Sequence, residues 1–204
     1  MKNFWVGLIA GLLLITGGLS TATATTLTSI ASADNGYVIY ISTDDGLQGN
    51  QFGSGSTWGT ANTYRTELAS GVNYFLHVYA YDTGVAAGFI GEFNLTGSDH
   101  MFSNGTTALV TNTTDWQGNS TGWGDSYISL TDYGVNGVSP WITINGVSDS
   151  AHWIWAGDTT ASYFSTMITA TSSPNPVPEP ATLLLFGAGL AGLAAVSRKK
   201  RHKK

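Results

Sequence analysis

Six tryptophans lie between residues 25 and 177, and three of them sit where chemistry with a ligand is expected. Trp58 follows Gly55-Ser56-Thr57, Trp116 lies in Asp115-Trp116-Gln117-Gly118-Asn119, and Trp123 lies in Gly122-Trp123-Gly124-Asp125. A flat indole face stacks on the apolar C–H face of a sugar ring. Neighbouring Asp, Asn and Gln side chains bind the hydroxyls. Glycine and serine around these positions predict loops, and binding residues favour loops on a rigid scaffold. Trp58, Trp116 and Trp123 are therefore the candidate glycan-binding residues. Core packing is the competing role for each, since aromatics dominate small β cores. Trp153 and Trp155, two residues apart, are expected to be core.

Asp34, Asp44 and Asp45 offer the hard oxygens that calcium prefers, although no EF-hand spacing is present. They are candidate ligands of a structural calcium ion; solvated loop carboxylates are the alternative. Glu67 and Glu92 are the residue types of a glycosidase pair, but nothing in the sequence brings them together. There is no cysteine and no H-E-x-x-H pair. His77, His100 and His152 are scattered without ligand spacing, and Asp99-His100 is a pair rather than a triad. A non-catalytic protein without a required cofactor is expected.

The elements that must carry these residues read as strands. Residues 37–41 form a continuous apolar run. Tyr64, Thr66 and Leu68 alternate with Arg65 and Glu67. Residues 73–81 alternate two rows, Tyr74/Leu76/Val78 and Phe75/His77/Tyr79. Further candidates are 89–95, 107–111, 126–130, 141–144, 151–155 and 162–170. Turn signals separate them, among them Ser70-Gly71, Asn104-Gly105, Asn136-Gly137 and Asn145-Gly146. No stretch keeps a helical period. About nine short strands with glycine-rich turns predict an all-β sandwich or jelly roll over residues 25–171.

The two ends differ from this middle. Residues 1–24 have a basic start at Lys2, a short apolar run and Ala22-Thr23-Ala24, the parts of a cleavable signal peptide with a signal helix. Residues 172–180 are a Pro-rich linker ending in Pro178-Glu179-Pro180. Residues 181–197 are an uncharged run read as a transmembrane helix, and residues 198–204 are a basic tail expected in the cytoplasm. Between residues 25 and 177, one arginine, Arg65, stands against twelve carboxylates, a formal charge of −11 where the whole chain has −5. Such a domain repels nucleic acid and anionic lipid headgroups, so neither is an expected partner of the middle region.

The ending Val177-Pro178-Glu179-Pro180, the apolar run containing Gly187, Gly189 and Gly192, and the basic close occur in the order of the PEP-CTERM sorting signal of Gram-negative bacteria, which they resemble. That resemblance implies an exosortase, a membrane-embedded cysteine peptidase, as partner. Pro178, Glu179 and Pro180 are then its recognition motif. It also implies export across the inner membrane, transient C-terminal anchoring, and a final place at the cell surface or in an exopolysaccharide or biofilm matrix. A permanent C-terminal anchor is the alternative.

A second resemblance covers the middle. Residues 33–40, Gly55-Ser56-Thr57-Trp58, Ala61-Asn62-Thr63-Tyr64, residues 68–74, Ala87-Gly88-Phe89 and Ala151-His152-Trp153-Ile154-Trp155 follow the order of galactose-binding-like jelly-roll modules found beside glycosidases. The chain departs from that pattern at residues 41–46, where a longer acidic loop replaces an Asn-Gly turn. The resemblance implies a jelly roll, a carbohydrate ligand and a structural calcium. The expected function is a non-catalytic, glycan-associating surface protein. A surface protein without a ligand and a glycoside hydrolase are the other readings.

Overall fold

The structure, a computed structural model, describes residues 24–171 together with Gly187 and Gly189, which are helical. Apart from Ala24 and these two glycines, the expected signal peptide, linker, transmembrane helix and basic tail lie outside the described residues. Among the described residues no helix is long and apolar enough to cross a membrane.

Twelve strands are described. They are β1 (Thr25–Asp34), β2 (Gly36–Ser42), β3 (Asn50–Gly55), β4 (Asn62–Leu68), β5 (Tyr74–Tyr81), β6 (Gly88–Leu95), β7 (His100–Phe102), β8 (Ala108–Val110), β9 (Gln117–Asn119), β10 (Leu130–Val135), β11 (His152–Ala156) and β12 (Ala161–Ala170). They form two antiparallel sheets. Sheet A has the order β10-β11-β6-β1-β4, and sheet B has the order β3-β2-β5-β12-β7. In each, one long strand takes two short ones along a single edge. β6 pairs with β11 at Phe89 and with β8 at residues 92–94. β12 pairs with β9 at residues 163–165 and with β7 at residues 168–170. This is the expected β-sandwich, with more strands than the nine anticipated.

Alternation builds the core. On β5, Leu76, Val78 and Ala80 are fully buried, and Phe75, His77, Tyr79 and Tyr81 take the other face. Phe164 and Ile168 on β12, Phe89 and Phe93 on β6, and Leu27 and Ala31 on β1 complete the space between the sheets. Phe89 stacks on Phe164 with centroids 5.4 Å apart. Each fully buried Val, Leu, Ile or Phe side chain of this set contributes about 1.5–3 kcal/mol.

Two expected strands are absent. Residues 126–130 give only an isolated bridge, Ile128 to Gly118, before β10 begins. Residues 141–144 lie in a loop, residues 136–151, that closes over the outer face of sheet A. Its apolar residues are buried, but against β6 and β11 rather than within a ladder. Trp141 stacks on Trp153 at 4.5 Å and 12°, and Ile90, Ile144, Val147 and Ala151 pack with them into a second core. Asn136 holds the loop, donating to the carbonyls of Ile144 and Val147 and accepting from the Ile144 amide. Gly137 and Gly146 turn it at φ of 93° and 90°, conformations that suit glycine.

The chain crosses from sheet A to sheet B within one residue, Asn35. Its two ends meet again far from that crossing. His100 is fully buried, bonds Thr25 Oγ1 at 2.9 Å and the Val72 carbonyl at 3.0 Å, and stands opposite Ala170 in the β7–β12 ladder. The Thr171 amide donates to the Asp99 carbonyl at 2.9 Å. The start of β1 and the end of β12 therefore share one pole. Tyr81, paired with Gly36 and Ala161, lies at the other.

Candidate functional site

The outer faces of the two sheets differ. Loop 136–151 seals much of sheet A, whereas the outer face of sheet B carries a field of aromatic rings. The register across β2, β5 and β12 sets the rows: Ser42–Phe75–Met167, Tyr40–His77–Ser165, Val38–Tyr79–Tyr163 and Gly36–Tyr81–Ala161. Tyr79 lies 5.0 Å from Tyr163 and 6.0 Å from Tyr81, centroid to centroid. All three rings are half-buried. Trp123 reaches the same face from loop 120–129. It stacks on His77 at 4.3 Å and 14°, and meets Tyr163 edge-on at 5.0 Å and 88°.

Asp45 fixes this arrangement. It lies in loop 43–49 above the His77 row. Its Oδ1 accepts from His77 Nε2 at 3.0 Å and from Ser165 Oγ at 2.5 Å, and its Oδ2 accepts from the Tyr127 hydroxyl at 2.7 Å. An ionised carboxylate only accepts, so all three partners donate. Burial works to raise the Asp45 carboxyl. The hydrogen bonds from Ser165, Tyr127 and His77, with the charge of the imidazole, outweigh it and hold the group below the ordinary carboxylate range. Burial pushes the Tyr127 phenol up, and Asp45 pushes it further. The two loops approach closely at a pair of glycines. A Cβ on Gly124 would lie 3.3 Å from Gly46 Cα.

Asp, His and Ser thus converge, but not as a nucleophilic relay. Ser165 Oγ bonds the carboxylate, not the imidazole. The other imidazole nitrogen faces the Gln48 carbonyl at 3.4 Å, and His77 is fully buried. The group joins two loops to the sheet and sets the indole of Trp123 in place. Glu67 and Glu92 also stay apart. They flank β1 opposite Thr26 and Ile30, which puts their Cα atoms about 16 Å apart at standard strand dimensions, and each carboxylate is engaged by its own neighbours, Glu67 by Thr26 Oγ1 and Glu92 by Asn94 Nδ2 and the Ser148 amide.

The three candidate tryptophans do not form one surface. Trp116 is only 2% exposed. It packs against Phe93 at 5.2 Å and Phe89 at 6.1 Å, and its Nε1 donates to the Val110 carbonyl. The apolar gain of this site outweighs the polar loop sequence around it, so Trp116 has no face for a sugar. Trp58 is 38% exposed but belongs to the other side of the sandwich, where its carbonyl accepts from Ser32 Oγ of β1 at 2.6 Å. Trp123 alone of the three stands on sheet B. Trp153 and Trp155 are fully buried, as expected, but in different cores.

The carboxylates expected to share a calcium ion are also dispersed. β2, about 23 Å long at its strand rise, separates Asp34 from Asp44 and Asp45. Asp34 accepts from Trp141 Nε1 at 3.0 Å and ties loop 136–151 to the β1–β2 corner. Burial raises the Asp34 carboxyl and the nearby Asp82 adds to this, against the Trp141 bond. Asp44 Oδ1 caps its own turn by accepting from the Gly46 amide. Among the described residues no three His, Asp or Glu side chains gather as a metal site.

The residues missed by sequence reasoning are Tyr79, Tyr81, Tyr163 and the His77–Asp45 pair. The alternation in residues 73–81 placed His77 and Tyr79 on one row, and that row was the available signal. The partners of Asp45 lie 32, 82 and 120 residues away in the chain, so no local pattern contains them.

The tail identifies the class. Residues 176–200 match the PEP-CTERM protein-sorting motif. That motif, which holds Pro178, Glu179 and Pro180 outside the described residues, implies an exported surface protein, transiently anchored at its C-terminus and processed by an exosortase. No curated protein and no solved structure matches the chain. The likeness of the middle region to galactose-binding-like modules therefore rests on its sequence pattern alone.

Proposed function

We propose that the sandwich is a non-catalytic module that associates with extracellular polysaccharide through the outer face of sheet B, once the chain has been exported and its tail processed. The observation that carries this reading is the aromatic surface of Trp123, Tyr163, Tyr79 and Tyr81 on the face that loop 136–151 leaves alone. Rings with one side on a rigid sheet and an accessible remainder offer apolar area at low entropic cost. Their hydroxyls supply hydrogen bonds beside it. The final location is the surface or matrix of a Gram-negative cell.

Affinity electrophoresis of the exported protein, in gels containing the host's own exopolysaccharide, tests the reading. Retardation is expected, together with its loss in the double variant Tyr79→Ala/Tyr163→Ala. Normal mobility of a folded wild-type protein would favour the alternative, a structural sandwich with no ligand. The burial of Trp116, Trp153 and Trp155 supports that alternative to the extent that most of the indole area serves packing.

A further inference from the structure

We infer that the polymer accepted by the outer face of sheet B is uncharged. This rests on the reading of that face as a polysaccharide surface, and names the class of polymer.

Among the described residues no accessible cation stands on this face. Arg65, the one arginine or lysine among residues 24–171, is on β4 of sheet A, on the exposed row with Thr63 and Glu67. His152 is also on sheet A, where its Nδ1 meets Asp132 at 2.9 Å. His100 is buried near the pole of the chain ends. His77, the one basic group beneath the aromatic field, is fully buried and bonded to Asp45. The loops bordering the field carry the opposite sign. Asp44 and Asp125 are exposed beside the loops that hold Asp45 and Trp123, and Asp82 follows Tyr81 directly.

An anionic chain lying across Trp123, Tyr163 and Tyr79 would bring its carboxylates or sulfates to these aspartates with no counter-charge from the sandwich. Salt screens such contacts only beyond roughly 8 Å at physiological ionic strength. The net charge of −11 on residues 25–177 adds a repulsive field at longer range. A neutral polymer meets none of this. Its C–H faces suit the rings, and its hydroxyl protons suit acceptor-only carboxylates.

The test compares polymers of known charge. Exported protein is run in native gels containing a galactomannan, a mixed-linkage β-glucan, a dextran, an alginate or a polygalacturonate, and in the host's own polysaccharide. Each gel is run at low and high salt, with calcium or with chelator. We expect retardation in at least one neutral gel, unchanged by salt and chelator and lost in Tyr79→Ala/Tyr163→Ala, with no retardation in the anionic gels. Retardation in alginate or polygalacturonate, whether salt-sensitive or calcium-dependent, overturns the neutral class and leaves the surface reading intact. Retardation in a neutral gel that survives the double variant overturns the assignment to this face. Normal mobility in every gel, the host polymer included, overturns both.

Discussion

Asp45 joins a loop, two strands and a second loop through one carboxylate. In Asp45→Asn one oxygen can still accept from His77 and Ser165, but the Tyr127 hydroxyl then faces an amide N–H, and the charge that strengthened all three bonds is gone. The cost of unsatisfied buried donors is about 1–3 kcal/mol each. Asp45→Asn is therefore expected to be less stable at neutral pH by an amount in this range, and to lose the aromatic circular dichroism of the His77–Trp123 stack. The pH dependence has a definite sign. The folded carboxyl lies below its unfolded value of about 3.9. Its contribution is complete above that value and is lost as pH falls through the lower folded value. The gap in thermal midpoint between wild type and Asp45→Asn should hold at neutral pH and close on acidification. A gap that widens in acid would refute this. Asp34, raised by burial and Asp82, has the opposite slope. Two aspartates read from sequence as one kind of ligand thus make opposite contributions, because one is surrounded by donors and the other mainly loses water.

Among the elements, the contrast between the two outer faces decides where a ligand has room. At Gly88 the covered face leaves no room for a side chain. A Cβ there would lie 2.8 Å from ring atoms of both Trp141 and Trp153. Gly88→Ala should cost about 1–3 kcal/mol through overpacking and loosen loop 136–151. Gly59→Ala, whose new methyl meets only Ile142 Cδ1 at 3.9 Å, should be close to neutral. Chemical denaturation of the two variants in parallel checks the difference, and equal midpoints would contradict it. The same elements show what could be read from sequence. Strands with strong alternation or continuous apolar runs, β2, β4, β5, β6, β11 and β12, stood out from the pattern. β1 did not, because Thr, Ser and Ala fill a central strand whose inner row is small where Phe89 and Phe93 need space. Residues 141–144 looked like a strand because Trp and Ile at that spacing are buried in either case. β7 and β9, three residues each, exist only because a long partner offers an edge. The aromatic face was half legible: alternation put His77 and Tyr79 together, but Tyr163 and Trp123 come from distant segments.

For the whole molecule, the sorting motif lies in the tail, at residues 176–200. Glu179→Ala is expected to leave export intact and block processing. Mass spectrometry of surface protein should then find the precursor's C-terminus retained; the same mature C-terminus as wild type would refute the role of Glu179. Processing also changes what the protein is electrostatically, since six of its eight lysines and arginines lie in residues 198–204. The sandwich handles both of its connections in one place. Thr25 and Thr171 leave from the same pole, beside His100. The first and last strands of the sandwich therefore begin and end side by side. Tyr81 and the turn after it lie at the opposite pole, so neither end of the sandwich starts beside the tip of the aromatic rows.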